Sequence, residues 1–138
     1  MRTRILVLFL LLVSAAAGFG WYQYTRKPVD IRTLSPDIKI EAKDLVNEFR
    51  NNETQANKKF IDKILLVYGK VTNVETDING QVTLFLDGND PLCAVICSFS
   101  KDETITSGDK VQGTELSIKG KCTGMLMDVI LNECSVVK

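Results

Sequence analysis

The residues of this chain that could do chemistry are four cysteines, at 93, 97, 122 and 134, and the carboxylates scattered near them, Asp77, Asp87, Asp90 and Asp128. Histidine is absent from all 138 residues. Its absence removes imidazole acid–base chemistry, Ser-His-Asp and Cys-His nucleophile arrangements, and every zinc site built on imidazole. The cysteine spacing contains neither a C-x2-C zinc knuckle nor a redox pair of that spacing. The four carboxylates lack the periodic oxygen ligands of a calcium loop and read as solvated turn residues. No serine has a histidine to activate it. In "GKCTG", Cys122 stands where a phosphate loop needs Ser or Thr, and the upstream glycine spacing is missing. No catalytic residue, no metal site and no cofactor is expected, and the expected class is a binding or interaction module rather than an enzyme.

The N-terminus directs attention to a membrane. Arg2 and Arg4 precede "ILVLFLLLVSAAAGFGWYQY", residues 5–24, an uncharged apolar stretch long enough to cross a bilayer as a helix. Trp21, Tyr22 and Tyr24 form an aromatic edge before Arg26, Lys27 and Pro28. Residues 1–27 therefore read as a signal-anchor or transmembrane segment, with a signal peptide cleaved near "SAAAG" as the alternative. Either reading puts the rest of the chain in the periplasm or outside. Without residues 1–27, 13 Lys and Arg face 17 Asp and Glu, a formal charge of −4. Phosphate recognition needs a concentrated basic excess, so a nucleic-acid partner is not expected. Four cysteines in so short an exported portion suit an oxidising compartment.

Residues 28–38, polar with two prolines, read as a tether. Residues 39–138 form the domain. In its first part Leu45, Val46 and Phe49 share a helical face, and Ala56 and Phe60 continue it after Asn51–Asn52; helix is predicted around 41–59, interrupted there. After residue 62 the period changes to two. Leu65, Val67, Gly69 and Val71 alternate, with the glycine suggesting a bend or bulge. "DING" supplies a turn before Val82, Leu84 and Leu86. Cys93, Val95, Cys97 and Phe99 follow, then Leu116, Ile118, Gly120 and Cys122, and "MDVILNECSVVK" closes the chain as a strand. Five strands, the first long and glycine-containing, favour a small closed barrel that leaves no exposed edge.

The stretches "KDLVNEFRNNETQANKKFIDKILLVYGKV", "VTLFL", "AVICSF", "GTELSIKGKCTG" and "DVILNECSVV" resemble bacterial envelope proteins with an OB-like barrel, grouped as tRNA-anticodon-binding-like (tRNA_anti-like). The resemblance covers roughly residues 40–137 and includes Leu45, Phe49, Asn52, Gly69, Cys97, Gly120, Cys122 and Cys134. It implies a mainly β fold, a five-stranded OB-like barrel with preceding helices behind a membrane anchor. It implies an envelope location and assigns no activity. In an OB-like barrel strand 3 runs parallel beside strand 5. That arrangement makes Cys97–Cys134 and Cys93–Cys122 the expected disulfides, with four buried free thiols as the alternative.

OB-like barrels bind across strands 2 and 3 and the neighbouring loops. Phe85 points away from the Val82–Leu84–Leu86 face and is either a stacking platform or packed against the helices; Tyr68 has the same ambiguity. Asp87 and Asp90, with Asp102 and Glu103, form an acidic rim that favours a basic peptide or protein partner. The expected role is an extracytoplasmic binding module with an envelope protein or peptide as partner, or a structural accessory of an envelope complex.

Overall fold

The computed structural model describes residues 30–100 and 111–137, together with Ser14, Ala15 and residues 18–21, which are helical. Among the described residues no helix is long and apolar enough to cross a membrane. Most of the apolar stretch 5–24 lies outside them, as do Asp102 and Glu103.

The residues expected to form a tether are docked on the barrel from Asp30 onward. Asp30 caps a 3-10 turn at Ile31–Thr33 by accepting the Arg32 N–H at 3.0 Å, and Ile31 is buried. The Lys119 ammonium, almost wholly buried, donates to the carbonyls of Arg32 (2.9 Å) and Leu34 (2.8 Å). β1, Ile38–Glu41, then runs parallel to β2, Ile64–Thr76. Asp37 starts that pairing: its N–H donates to the Ile64 carbonyl and its carboxylate accepts the Ile64 N–H. "IKIE" is thus a strand where helical lead-in was expected, because Ile38 and Ile40 pack on the core.

Two helices follow, α1 at Ala42–Asn51 and α2 at Glu53–Phe60. Asn52 causes the break. Its backbone N–H ends α1 on the Glu48 carbonyl, while its side chain begins α2 by accepting the Gln55 N–H at 3.0 Å. Both helices turn their apolar faces inward. Leu45, Val46, Phe49, Ala56 and Phe60 are buried, and the Phe49 and Phe60 rings pack with centroids 5.7 Å apart.

The barrel is closed by five strands: β2; β3, Val82–Asp90; β4, Cys93–Phe99; β5, Glu115–Met125; and β6, Val129–Val137. The first half of β2 pairs with β5 and the second half with β3. β3 pairs with β4, β4 runs parallel to β6, and β6 returns antiparallel to β5. The parallel β4–β6 pairing is the expected neighbourhood of strands 3 and 5. Every strand's alternating set faces inward as expected: Leu65, Val67, Val71, Leu84, Leu86, Val95, Phe99, Ile118 and Leu131 are wholly or nearly wholly buried. Each such side chain contributes about 1.5–3 kcal/mol by leaving water.

The bulge in β2 lies at Thr72, between Val71 and Asn73, rather than at Gly69. Gly69 serves another purpose. A Cβ there would lie 2.9 Å from Ala42 Cβ, so the glycine lets the first turn of α1 approach β2. β6 begins at Val129, two residues later than its apolar pattern suggests, because residues 126–128 form a bend.

Candidate functional site

The cysteines come first, because the fold decides their chemistry. All four are buried free thiols, which corrects the expected disulfides. Cys122 pairs with Leu131, and Leu131 pairs in turn with Cys97, so Cys122 is level with Cys97. Cys93 lies four residues back along β4, roughly 13 Å at the rise of a strand, well past the reach of a disulfide. The Cys93–Cys122 bridge fails on register. Cys97 and Cys134 do come together: Phe99, two residues beyond Cys97, is the register partner of Cys134 across the parallel seam, and the two thiols stay free. The Cys134 thiol also donates to the Leu131 carbonyl at 3.4 Å.

Burial pushes the Cys134 thiol well up from its ordinary value, and Cys97 beside it adds to the rise. Burial likewise raises Cys122. Cys93 is raised by burial first and then by the carboxylates of Asp128 and Asp90. The thiolate is the reactive form of cysteine, so Cys93, Cys122 and Cys134 are held away from nucleophilic chemistry. Among the described residues no cluster of three or more cysteines and carboxylates could hold a metal ion.

The outer surface divides the four expected binding residues between three places. Tyr68, 37% exposed, opens into a groove of about 460 Å³ whose walls carry Lys43, Lys70, Glu41, Glu115 and Asp87. Glu41 sits 2.5 Å from the Lys43 ammonium and raises its pKa. Asp87 also lines a second groove of about 500 Å³, together with Asp90, Leu92 and Asp128. Asp90 ties the end of β3 to α1 through Arg50 and accepts the Leu92 N–H at 2.8 Å. Phe85 lines neither groove.

Phe85 stands half-buried on the outer side of β3, opposite Ile96 on β4, and Ile96 stands beside Ile130 on β6. These three form an apolar row across the strands of the barrel. The alternation that buries Leu84, Leu86, Val95, Cys97 and Leu131 necessarily turns this row outward. Its members on β4 and β6 were legible only once the strands were in register. The strands that carry the row and the adjoining half of β2 contain no lysine or arginine: none occurs at 71–76, 82–90, 93–99 or 129–137. β5, on the far side of β6, carries Lys119, which is buried, and Lys121, which pairs with Asp62.

Sequence reasoning also missed three large apolar side chains at one end of the barrel. Leu92, Leu126 and Met127 are 79%, 86% and 78% exposed. The signal for Leu92 was the preceding Pro91; the alternating pattern assigned Met127 to a strand, which hid the bend.

The family model described as tRNA_anti-like matches residues 1–136. The chain belongs to the tRNA_anti-like family. Among solved structures it is similar to a "putative nucleic acid-binding lipoprotein" from Klebsiella pneumoniae, at 15% identity and a TM-score of 0.57, covering 81% of this chain and 100% of that one. At that identity the likeness concerns the fold. No curated protein matches. The tRNA_anti-like barrel of this chain thus has the fold the resemblance implied, with β1 added beside β2.

Proposed function

We propose that this tRNA_anti-like protein is a non-catalytic binding module of the cell envelope, held to the membrane by residues 5–24, whose partner is a protein or peptide. The observation that carries the reading is the Phe85–Ile96–Ile130 row, whose first two members face outward on the second and third barrel strands, which OB-like barrels use for binding, with no basic residue on any of the three strands that carry the row. Glu75, Asp87 and Asp90 are the charges nearest to it in sequence on β2 and β3. A strand of nucleic acid laid there would meet carboxylates instead of the cations that normally supply most of its affinity. The lipoprotein name of the Klebsiella neighbour agrees with an envelope location and names nucleic acid as that protein's ligand. Fold likeness does not carry a ligand from one barrel to another, and the charge on this face opposes that transfer.

Two measurements test the proposal. Protease added to spheroplasts is expected to degrade the barrel while sparing a cytoplasmic control; protection of the barrel rejects the location. Titration of the full chain with fluorescent single-stranded DNA and RNA is expected to show no saturable binding at physiological salt. Saturable binding whose affinity falls steeply with salt would establish the nucleic-acid reading instead.

A further inference from the structure

The bend at residues 126–128 runs alongside the start of β4. Asp128 accepts the Ala94 N–H at 2.7 Å, and Val95 and Val129 are register partners immediately beyond. The bend therefore brings Leu126 and Met127 to the same end of the barrel as Leu92. Three large apolar side chains, each more than three-quarters exposed, thus lie at this end of the barrel, where Leu92, Asp87, Asp90 and Asp128 line a groove. The loops that hold them are ordered by side-chain bonds: Asp87 accepts the Asn89 N–H at 2.8 Å and Asp90 the Leu92 N–H. Fixed, exposed apolar groups of this kind mark interaction surfaces.

The charges decide what covers them. Arg50 compensates Asp90. Asp87 and Asp128 each accept a backbone amide through one oxygen, and among the described residues neither has a cationic partner. The Cys93 thiol, buried at the groove floor, responds to the same field from Asp128 and Asp90. An anionic membrane surface would be repelled by these carboxylates. A second copy meeting the patch about a two-fold axis would bring like charges together, a costly juxtaposition. A cationic partner gains where both of those lose.

We propose that this end of the barrel docks a protein segment carrying apolar side chains between lysines or arginines. The apolar residues cover Leu92, Leu126 and Met127, and the cations lie beside Asp87 and Asp128. The proposal rests on the binding-module reading and supplies its partner chemistry.

The test places a benzophenone amino acid at Met127, and separately at Phe85, in the full chain in its native envelope. After irradiation the attachment peptide is mapped by mass spectrometry. From Met127 the expected adduct is a protein segment with apolar residues flanked by Lys or Arg. A synthetic peptide of that segment should bind the purified full chain. The double substitution Leu126→Ser with Met127→Ser should weaken binding about tenfold, a loss of about 1.4 kcal/mol. Asp87→Asn with Asp128→Asn should weaken it several-fold; asparagine keeps an oxygen for each backbone amide, so the bend is retained. A lipid adduct, an acidic segment, or peptide binding untouched by both pairs of substitutions overturns the proposal. Adducts from Phe85 alone also overturn it while leaving a binding module with its site on the strands. No adduct from either position removes both.

Discussion

Asp87 stands between two grooves that differ in wall charge and in floor. The Tyr68 groove sets Lys43 and Lys70 against Glu41, Glu115 and the shared Asp87, whereas the Leu92 groove carries carboxylates without a lining cation. Each is floored by a glycine under different constraint. At Gly69 an added Cβ meets the Ala42 methyl at 2.9 Å. At Gly88 it meets the Cys93 carbonyl oxygen, a backbone atom, and also Val46 Cγ2 at 2.9 Å. The groove of mixed charge sits on a surface where one helix has some freedom to shift. The one without a lining cation is built where β3 returns into β4 and neither strand can give way, which keeps its carboxylates fixed in place.

The strongest way to break this comparison is at those floors. Gly88→Ala is expected to cost about 3 kcal/mol, because the obstacle is main chain. Gly69→Ala is expected to cost about 1–2 kcal/mol, since Ala42 can move with the first turn of α1. Urea unfolding of the detergent-solubilised full chain measures both, and a larger loss for Gly69→Ala would refute the difference. Next in size is Lys119→Met, expected to cost about 2 kcal/mol through two lost charge-assisted hydrogen bonds. It should also expose Arg32 to trypsin in the folded protein; unchanged cleavage would show that the ammonium does not hold the segment.

Asp90→Asn sharpens the comparison at smaller scale. The Arg50 pair is partly exposed, so its loss should cost under about 1 kcal/mol. The variant should leave the Tyr68 groove unaffected, as judged by the chemical shifts of Tyr68 and Lys70. The gentlest effect is that of alkaline pH. The raised thiols of Cys93, Cys122 and Cys134 keep protons that the unfolded chain releases near the ordinary value of 9.0. Stability is therefore full below that value and declines as pH rises through and beyond it. A stability constant from pH 7 to 10 would contradict the burial of those thiols.

Much of the fold was legible because burial imposes a period on the sequence. Leu65, Val67, Leu84, Leu86, Val95 and Ile118 could face only one way once each strand was recognised, and Asn52 marked the helix break through its own side chain. β1 was not legible: four residues are too few to establish a period, and Asp37 acts on Ile64, 27 residues away. The Cys93–Cys122 bridge failed for a related reason. Connectivity depends on register, and the pairings through Leu131 that put Cys122 level with Cys97 instead of Cys93 are invisible in composition. Of the candidate site, Asp87 and Asp90 were found as charges. Leu92, Leu126 and Met127 were not, since exposure of an apolar residue is a property of the folded bend.

The Lys119 ammonium has a mechanical consequence. A pull applied at Asp30 does not act first on the end of β1, which would peel off residue by residue as an outer strand. Tension passes through the Arg32 and Leu34 carbonyls into the middle of β5, a strand held on one side by β2 and on the other by β6. The load enters the barrel as shear shared across two ladders, so such a pull strains the closed wall as a whole before it can unzip an edge.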